Sequence, residues 1–77
     1  MVLANNVLPD NEGIELLKEI RKRRGDLPVI IMTDYGEKRM LINALRHRCD
    51  GFIEKPFDLN QLINEIERVL DNKPARP

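Results

Sequence analysis

Seventy-seven residues, in which 13 Lys and Arg balance 13 Asp and Glu, allow one domain at most, with a thin core and no net charge. That balance offers no general attraction to nucleic acid or anionic lipid, so neither is expected as a partner. Cys49, the single cysteine, excludes an internal disulfide and a Cys/His zinc cluster; no apolar run approaches the ~18 residues of a membrane span and MVLANNVLPDN is not a signal peptide, so a cytoplasmic protein without a membrane segment is expected.

Met1 to Ala4 is a short apolar strand leading into the polar stretch ANNVLPDNEG. From Asn11 or Glu12 a helix is predicted, with Ile14, Leu17 and Ile20 at helical spacing, Leu16 alongside, and Glu15, Lys18 and Glu19 facing water. Arg21-Lys22-Arg23-Arg24 closes it before Gly25; basic residues there complement the helix dipole, a reading preferred over a nucleic-acid contact. Leu27 to Thr33 is continuously apolar and β-branched, which places it in the middle of a parallel sheet covered on both faces. Asp34-Tyr35-Gly36 is a turn, and Glu37 to His47 a second helix with Leu41, Ala44 and Leu45 on its inner face. His47 is read as solvated at the helix end. Gly51 to Ile53 is a third strand, and Lys55-Pro56-Phe57 breaks it. Asp58 with Gln61 forms a capping box before Leu59, Leu62, Ile63, Ile66, Val69 and Leu70, and residues 72–77 make a polar, disordered tail.

Strand and helix alternate three times, which demands parallel strands joined by right-handed crossovers. In such sheets ligands bind outside the carboxyl ends of the strands. Those ends carry Asn5 and Asn6, Thr33 and Asp34, and Glu54 and Lys55.

Three signatures occur in order: Leu8-Pro9-Asp10 with Gly13, then Ile31-Met32-Thr33 with Tyr35-Gly36, then Phe52-Ile53-Glu54-Lys55-Pro56-Phe57. Together with the 22-residue step from Thr33 to Lys55 they resemble the receiver domain of two-component response regulators, over residues 1–71, from the family's third strand to its last helix. The implied fold is α/β: the three-layer half of a flavodoxin-like fold, (βα)3 with a three-stranded parallel sheet. The resemblance implies carboxyl phosphorylation, in which a strand-end aspartate takes a phosphoryl group from a histidine kinase while a metal, a hydroxyl and an ammonium stabilise its oxygens. A carboxylate attacking an anionic donor needs such positive charge to offset repulsion. By this resemblance Thr33 matches the hydroxyl, Lys55 the ammonium, Phe52 the aromatic whose burial reports phosphorylation, and Val7 the backbone-carbonyl metal ligand.

The nucleophile position, four residues before Pro9, is Asn5, and a slip of one residue gives Asn6. Neither is an aspartate, and the family's acidic metal-binding pair has no counterpart here. No catalytic residue, metal or other cofactor is therefore expected. Arg48 stands where the family has a helix-ending glycine, and Asp34 where it has a small apolar residue; a non-glycine residue in a left-handed cap costs about 1 kcal/mol. Lys55 is read as a charge neutralised by Asp34 or Glu54 rather than as a working switch, and Thr33 as a strand-end hydroxyl bonded to backbone. Cys49 is read as packing. Met40 and Ile42 widen the apolar surface of the second helix, which belongs to the output face of receivers; a partner surface and a broader core stand as equal readings.

An unpaired edge at Met1, Val2, Leu3 and Ala4 is a template for another chain, so a homodimer joined through the first strand or an exchanged element is expected. The sequence thus points to a non-enzymatic, phosphorylation-incompetent interaction module of two-component signalling that self-associates or meets a histidine kinase or response regulator. Two alternatives stand beside it: a residual phosphoacceptor completed by another chain, with Asp34 or Asp10 taking the phosphoryl group, and a gene fragment or engineered piece without function of its own.

Overall fold

The computed structural model describes residues 1–6, 12–34 and 38–72. Six elements alternate as expected: β1 (Val2–Asn5), α1 (Glu12–Arg23), β2 (Val29–Asp34), α2 (Lys38–Arg46), β3 (Gly51–Lys55) and α3 (Leu59–Asn72). The strands are parallel in the order β1-β2-β3, with Val2 opposite Val29 and Ile30 opposite Gly51. β2 is central, as its continuous apolar run requires, and β3 runs two residues further than Ile53. α3 extends one residue into the segment read as a tail, and residues 73–77 lie outside the described residues.

Two successive right-handed crossovers in one direction put α1 and α2 on the same face of the sheet. Ala4, Val29 and Ile31 of the strands there bury against Ile14 and Leu17 of α1 and Met40 and Ala44 of α2. The other face, with Ile30 and Ile53, is covered by Val69, Leu62 and Ile66 of α3. Two glycines allow these layers to close. A Cβ at Gly13 lies 2.9 Å from Asn6 Cβ and 3.2 Å from the Asn5 carbonyl, and one at Gly51 lies 2.8 Å from Val69 Cγ2. α1 therefore starts directly against the end of β1, and α3 rests directly on β3.

Local sequence rules set the helix ends. The capping box forms as read: the Gln61 amide N–H donates to Asp58 Oδ1 and the Asp58 N–H donates to Gln61 Oε1, both at 2.8 Å. After α2, Arg48 adopts φ 66°, its N–H donates to the Leu45 carbonyl and the Cys49 N–H donates to the Ala44 carbonyl, each at 3.0 Å. This is a Schellman motif with arginine in the left-handed position that favours glycine.

The phase of α2 differs from expectation. Met40 and Ala44 face the core, while Leu41 is exposed and Ile42 and Leu45 are 58% and 59% exposed. Apolar residues at 40, 41, 42, 44 and 45 span more than half the helix circumference, so periodicity alone does not phase it. Met40 is thus a core residue and not part of an outer face.

At the amino-terminal edge of the sheet Arg21 does more than complement the dipole of α1. Its guanidinium donates to the Arg48 carbonyl (3.0 and 2.8 Å), to the Leu27 carbonyl (2.7 Å) and to Asp50 Oδ2 (2.6 Å). Asp50 Oδ2 also accepts the Val29 N–H at 2.9 Å, and Arg68 of α3 donates to the Asp50 carbonyl at 3.1 Å. The two side chains are only 6% and 3% exposed. Replacing Asp50 by Ala leaves a buried guanidinium without its counter-charge and is expected to cost about 3–5 kcal/mol. Urea unfolding followed by circular dichroism measures it, and a loss below about 1 kcal/mol would mean that the pair behaves as a surface ion pair.

Cys49 is half-buried against the α1/α2 core. Burial, then the charge of Asp50, pushes its thiol up to about 11. A raised thiol value disfavours the thiolate, so at pH 8 roughly one molecule in a thousand carries the nucleophile. Iodoacetamide is expected to label native Cys49 at pH 8 far more slowly than the urea-unfolded chain, and equal rates would contradict the packing role.

Candidate functional site

The carboxyl ends of the strands bring Asn5, Thr33, Asp34 and Lys55 to one edge of the sheet. Pairing of Asn5 with Met32, Thr33 with Glu54 and Asp34 with Lys55 fixes their order across three strands spaced about 4.8 Å apart. Register partners share a face, so Asn5, Asp34 and Lys55 lie on the α3 side, and Thr33 follows Val29 and Ile31 to the α1/α2 side.

Asn5 is exposed at the tip of β1. Its amide is neutral and offers a phosphoryl donor no nucleophilic oxygen and a cation no charge. Asn6, one residue on, turns inward and is buried. Its Oδ1 accepts the Ile14 N–H at 3.0 Å, and its Nδ2 donates to Met40 Sδ at 2.9 Å. Asn6 therefore joins the end of β1 to the first turn of α1 and to α2. Sequence reasoning weighed it only as an alternative nucleophile position, although the alternation Val2, Ala4, Asn6 marks it as inward-facing.

Thr33 is buried, and its Oγ1 has no hydrogen-bond partner. The expectation of a backbone bond is thus not met, and an unpaired buried hydroxyl costs about 1–3 kcal/mol. Lys55 is half-buried where β3 ends at a cis Lys55–Pro56 bond, and among the described residues no ion pair within 4 Å joins it to Asp34, one of the two partners expected to neutralise it. Phe52 is half-buried against the α1/α2 core, and its N–H donates to Glu65 Oε2 at 2.9 Å. The hydrogen bonds of Arg68 hold the Glu65 carboxyl below the usual range.

Among the described residues no three Asp, Glu, His or Cys side chains gather as a metal site, and the neutral amide at Asn5 does not suit a divalent cation. The donors among the described residues do not by themselves fit the metal implied by the resemblance. The carbonyl of Val7 and the carboxyl of Asp10 lie outside the described residues.

Of the strand expected to self-associate, Val2 and Ala4 turn into the α1/α2 core, while Met1 and Leu3 are 42% and 43% exposed. Among the described residues β1 is hydrogen-bonded along one edge, to β2. Ile42 is exposed on α2. No described helix is long and apolar enough to cross a membrane.

Comparison with known proteins agrees with this geometry. The family model for the response regulator receiver domain matches residues 1–67. The DNA-binding transcriptional regulator NtrC of Rhizobium meliloti is 36% identical over 77 residues, covering 100% of this chain and 16% of its own length. The regulatory protein AtoC of Escherichia coli is 39% identical over 70 residues, covering 91% of this chain and 15% of its own. The solved receiver domain of NtrX from Brucella abortus superimposes with a TM-score of 0.79 at 33% identity, covering 91% of this chain and 61% of that domain. The chain thus spans about one sixth of the curated regulators and about three fifths of an isolated receiver. With its (βα)3 architecture and strand-end signatures matched along nearly its whole length, the chain belongs to the response regulator receiver domain family.

Proposed function

We propose that the chain is a non-enzymatic receiver module of two-component signalling that does not take a phosphoryl group and acts through protein contacts. The observation that carries this reading is Asn5, an exposed amide at the strand end where the chemistry requires a carboxylate. A histidine kinase or a response regulator is the natural partner class for such a module.

The contact surfaces are those the fold leaves open. β1 presents an unpaired edge, Leu3 is exposed beside it, and Ile63 and Leu70 of α3 are exposed on the same side of the sheet. On the opposite side Leu16, Ile20 and Leu27 line a cleft of about 310 Å³. Apolar area of this kind is worth about 25 cal/mol per Å² when covered. A second copy joined along β1 covers the edge and Leu3 together, giving the expected homodimer.

A second reading rests on Thr33 and Lys55. The buried, unbonded hydroxyl of Thr33 and the strand-end ammonium of Lys55 support a reading in which a complementing chain supplies acidic residues and Asp34 or Asp10 is the acceptor.

Incubation with acetyl phosphate and a divalent metal, followed by intact-mass measurement, is expected to leave the mass unchanged. An adduct of one phosphoryl group would replace the first reading with the second. Sedimentation at micromolar concentration is expected to show a dimer that Leu3→Lys shifts toward monomer, because a charge on that strand face is left without water when the sheets join. A compact, stable wild-type monomer would rule the dimer out.

A further inference from the structure

The zero net charge hides an uneven distribution. α1 and α2 together hold seven of the 13 basic side chains and three of the 13 acidic ones, so the two helices form a basic layer and the rest of the chain is acidic on balance. At the amino-terminal edge of the sheet, opposite the strand ends described above, this layer opens into a cleft of about 320 Å³ lined by Lys18, Arg21, Lys22, His47 and Arg48. Every lining side chain is a cation or an imidazole, and none is a carboxylate, amide or hydroxyl. Most of the wall is the aliphatic surface of these side chains, and with the Arg21 guanidinium committed within the protein the donors available to an anion are those of Lys18, Lys22, His47 and Arg48.

Two features separate this cleft from a chance gathering of surface charge. Arg21 forms a fixed floor, its guanidinium held by Asp50 and the Arg48 carbonyl. Arg48 holds φ 66°, a conformation that glycine adopts freely and arginine does not. Non-glycine residues held in this region concentrate at functional sites. Lys18 and Lys22 are held at the rim by Glu15 at 3.0 Å and Glu19 at 3.5 Å, exposed pairs one turn apart that yield readily to a denser anion.

We propose that this cleft binds a compact polyanion of the phosphate class, a small phosphorylated molecule seated on Arg48, His47, Lys18 and Lys22. An Arg fork and two ammonium-bearing side chains lining one small cleft match several tetrahedral oxyanions better than carboxylates spaced along a peptide. The site is independent of the strand-end chemistry, and its occupancy does not require Asn5, Thr33 or Lys55.

The test is calorimetric titration of the 77-residue chain with inorganic tripolyphosphate at constant ionic strength, against four variants. Arg48→Gly is expected to weaken binding about tenfold or more while raising the melting temperature by about 4–8 °C, because it removes a ligand group and relieves the left-handed position at once. Opposite signs on binding and stability are not produced by a merely structural residue. Lys18→Gln and Lys22→Gln are expected to weaken binding several-fold, and Lys38→Gln, at the far end of α2, to leave it unchanged. Unchanged binding in Arg48→Gly, equal loss in Lys38→Gln, or no binding by the wild type at millimolar tripolyphosphate would each overturn the site. A polyglutamate peptide or a DNA duplex binding as tightly at equal total charge would overturn the phosphate assignment.

Discussion

The fold is held at its closed end by one buried ion pair. Arg21 and Asp50 touch, and through them the last turn of α1, the loop entering β2, the first N–H of β2, the cap of α2 and Arg68 of α3 meet at a point. Buried pairs are weak evidence for added stability, since the cost of desolvating both charges offsets most of their attraction. What such a pair supplies here is registration. With five backbone or side-chain partners fixed at the bottom of the sheet, the strand ends at the top take defined positions, and Asn5, Thr33 and Lys55 come into one row.

The members of that row are held differently. Asn5 places an exposed amide at the tip of β1, and Thr33 buries a hydroxyl that has no hydrogen-bond partner, a standing cost to folding. Asn6, by contrast, is engaged: its amide satisfies the first turn of α1 and touches the Met40 sulfur, so the strand end and α2 are mechanically linked beside Asn5.

Much of this was legible in the sequence because it is local chemistry: Asp58 and Gln61 name a capping box and the continuous apolar run at β2 names a central strand, and both appear in the structure. The strained cap at Arg48 was legible only through the family resemblance, which places a glycine there. What was not legible depends on which way a helix turns. α2 carries apolar residues around most of its surface, and only the contacts of Met40 and Ala44 with the sheet select its inner face. Arg21 was hidden among four consecutive basic residues, although it lies four residues after Leu17 and seven after Ile14, on the buried stripe of α1. A charge on that stripe was the available signal, and its partner, 29 residues away, was not.

The strand order β1-β2-β3 makes every crossover a step to the adjacent strand. The unit is therefore closer to a short stack of repeats than to a closed domain, each βα segment leaning chiefly on the next. In such a stack protection is graded rather than uniform: β2, bonded along both edges, opens only with the whole, while β1 and β3, each bonded along one edge among the described residues, open more readily. The outer strands are thus the least costly parts of the molecule to rearrange, and the central one carries the cooperativity of the rest.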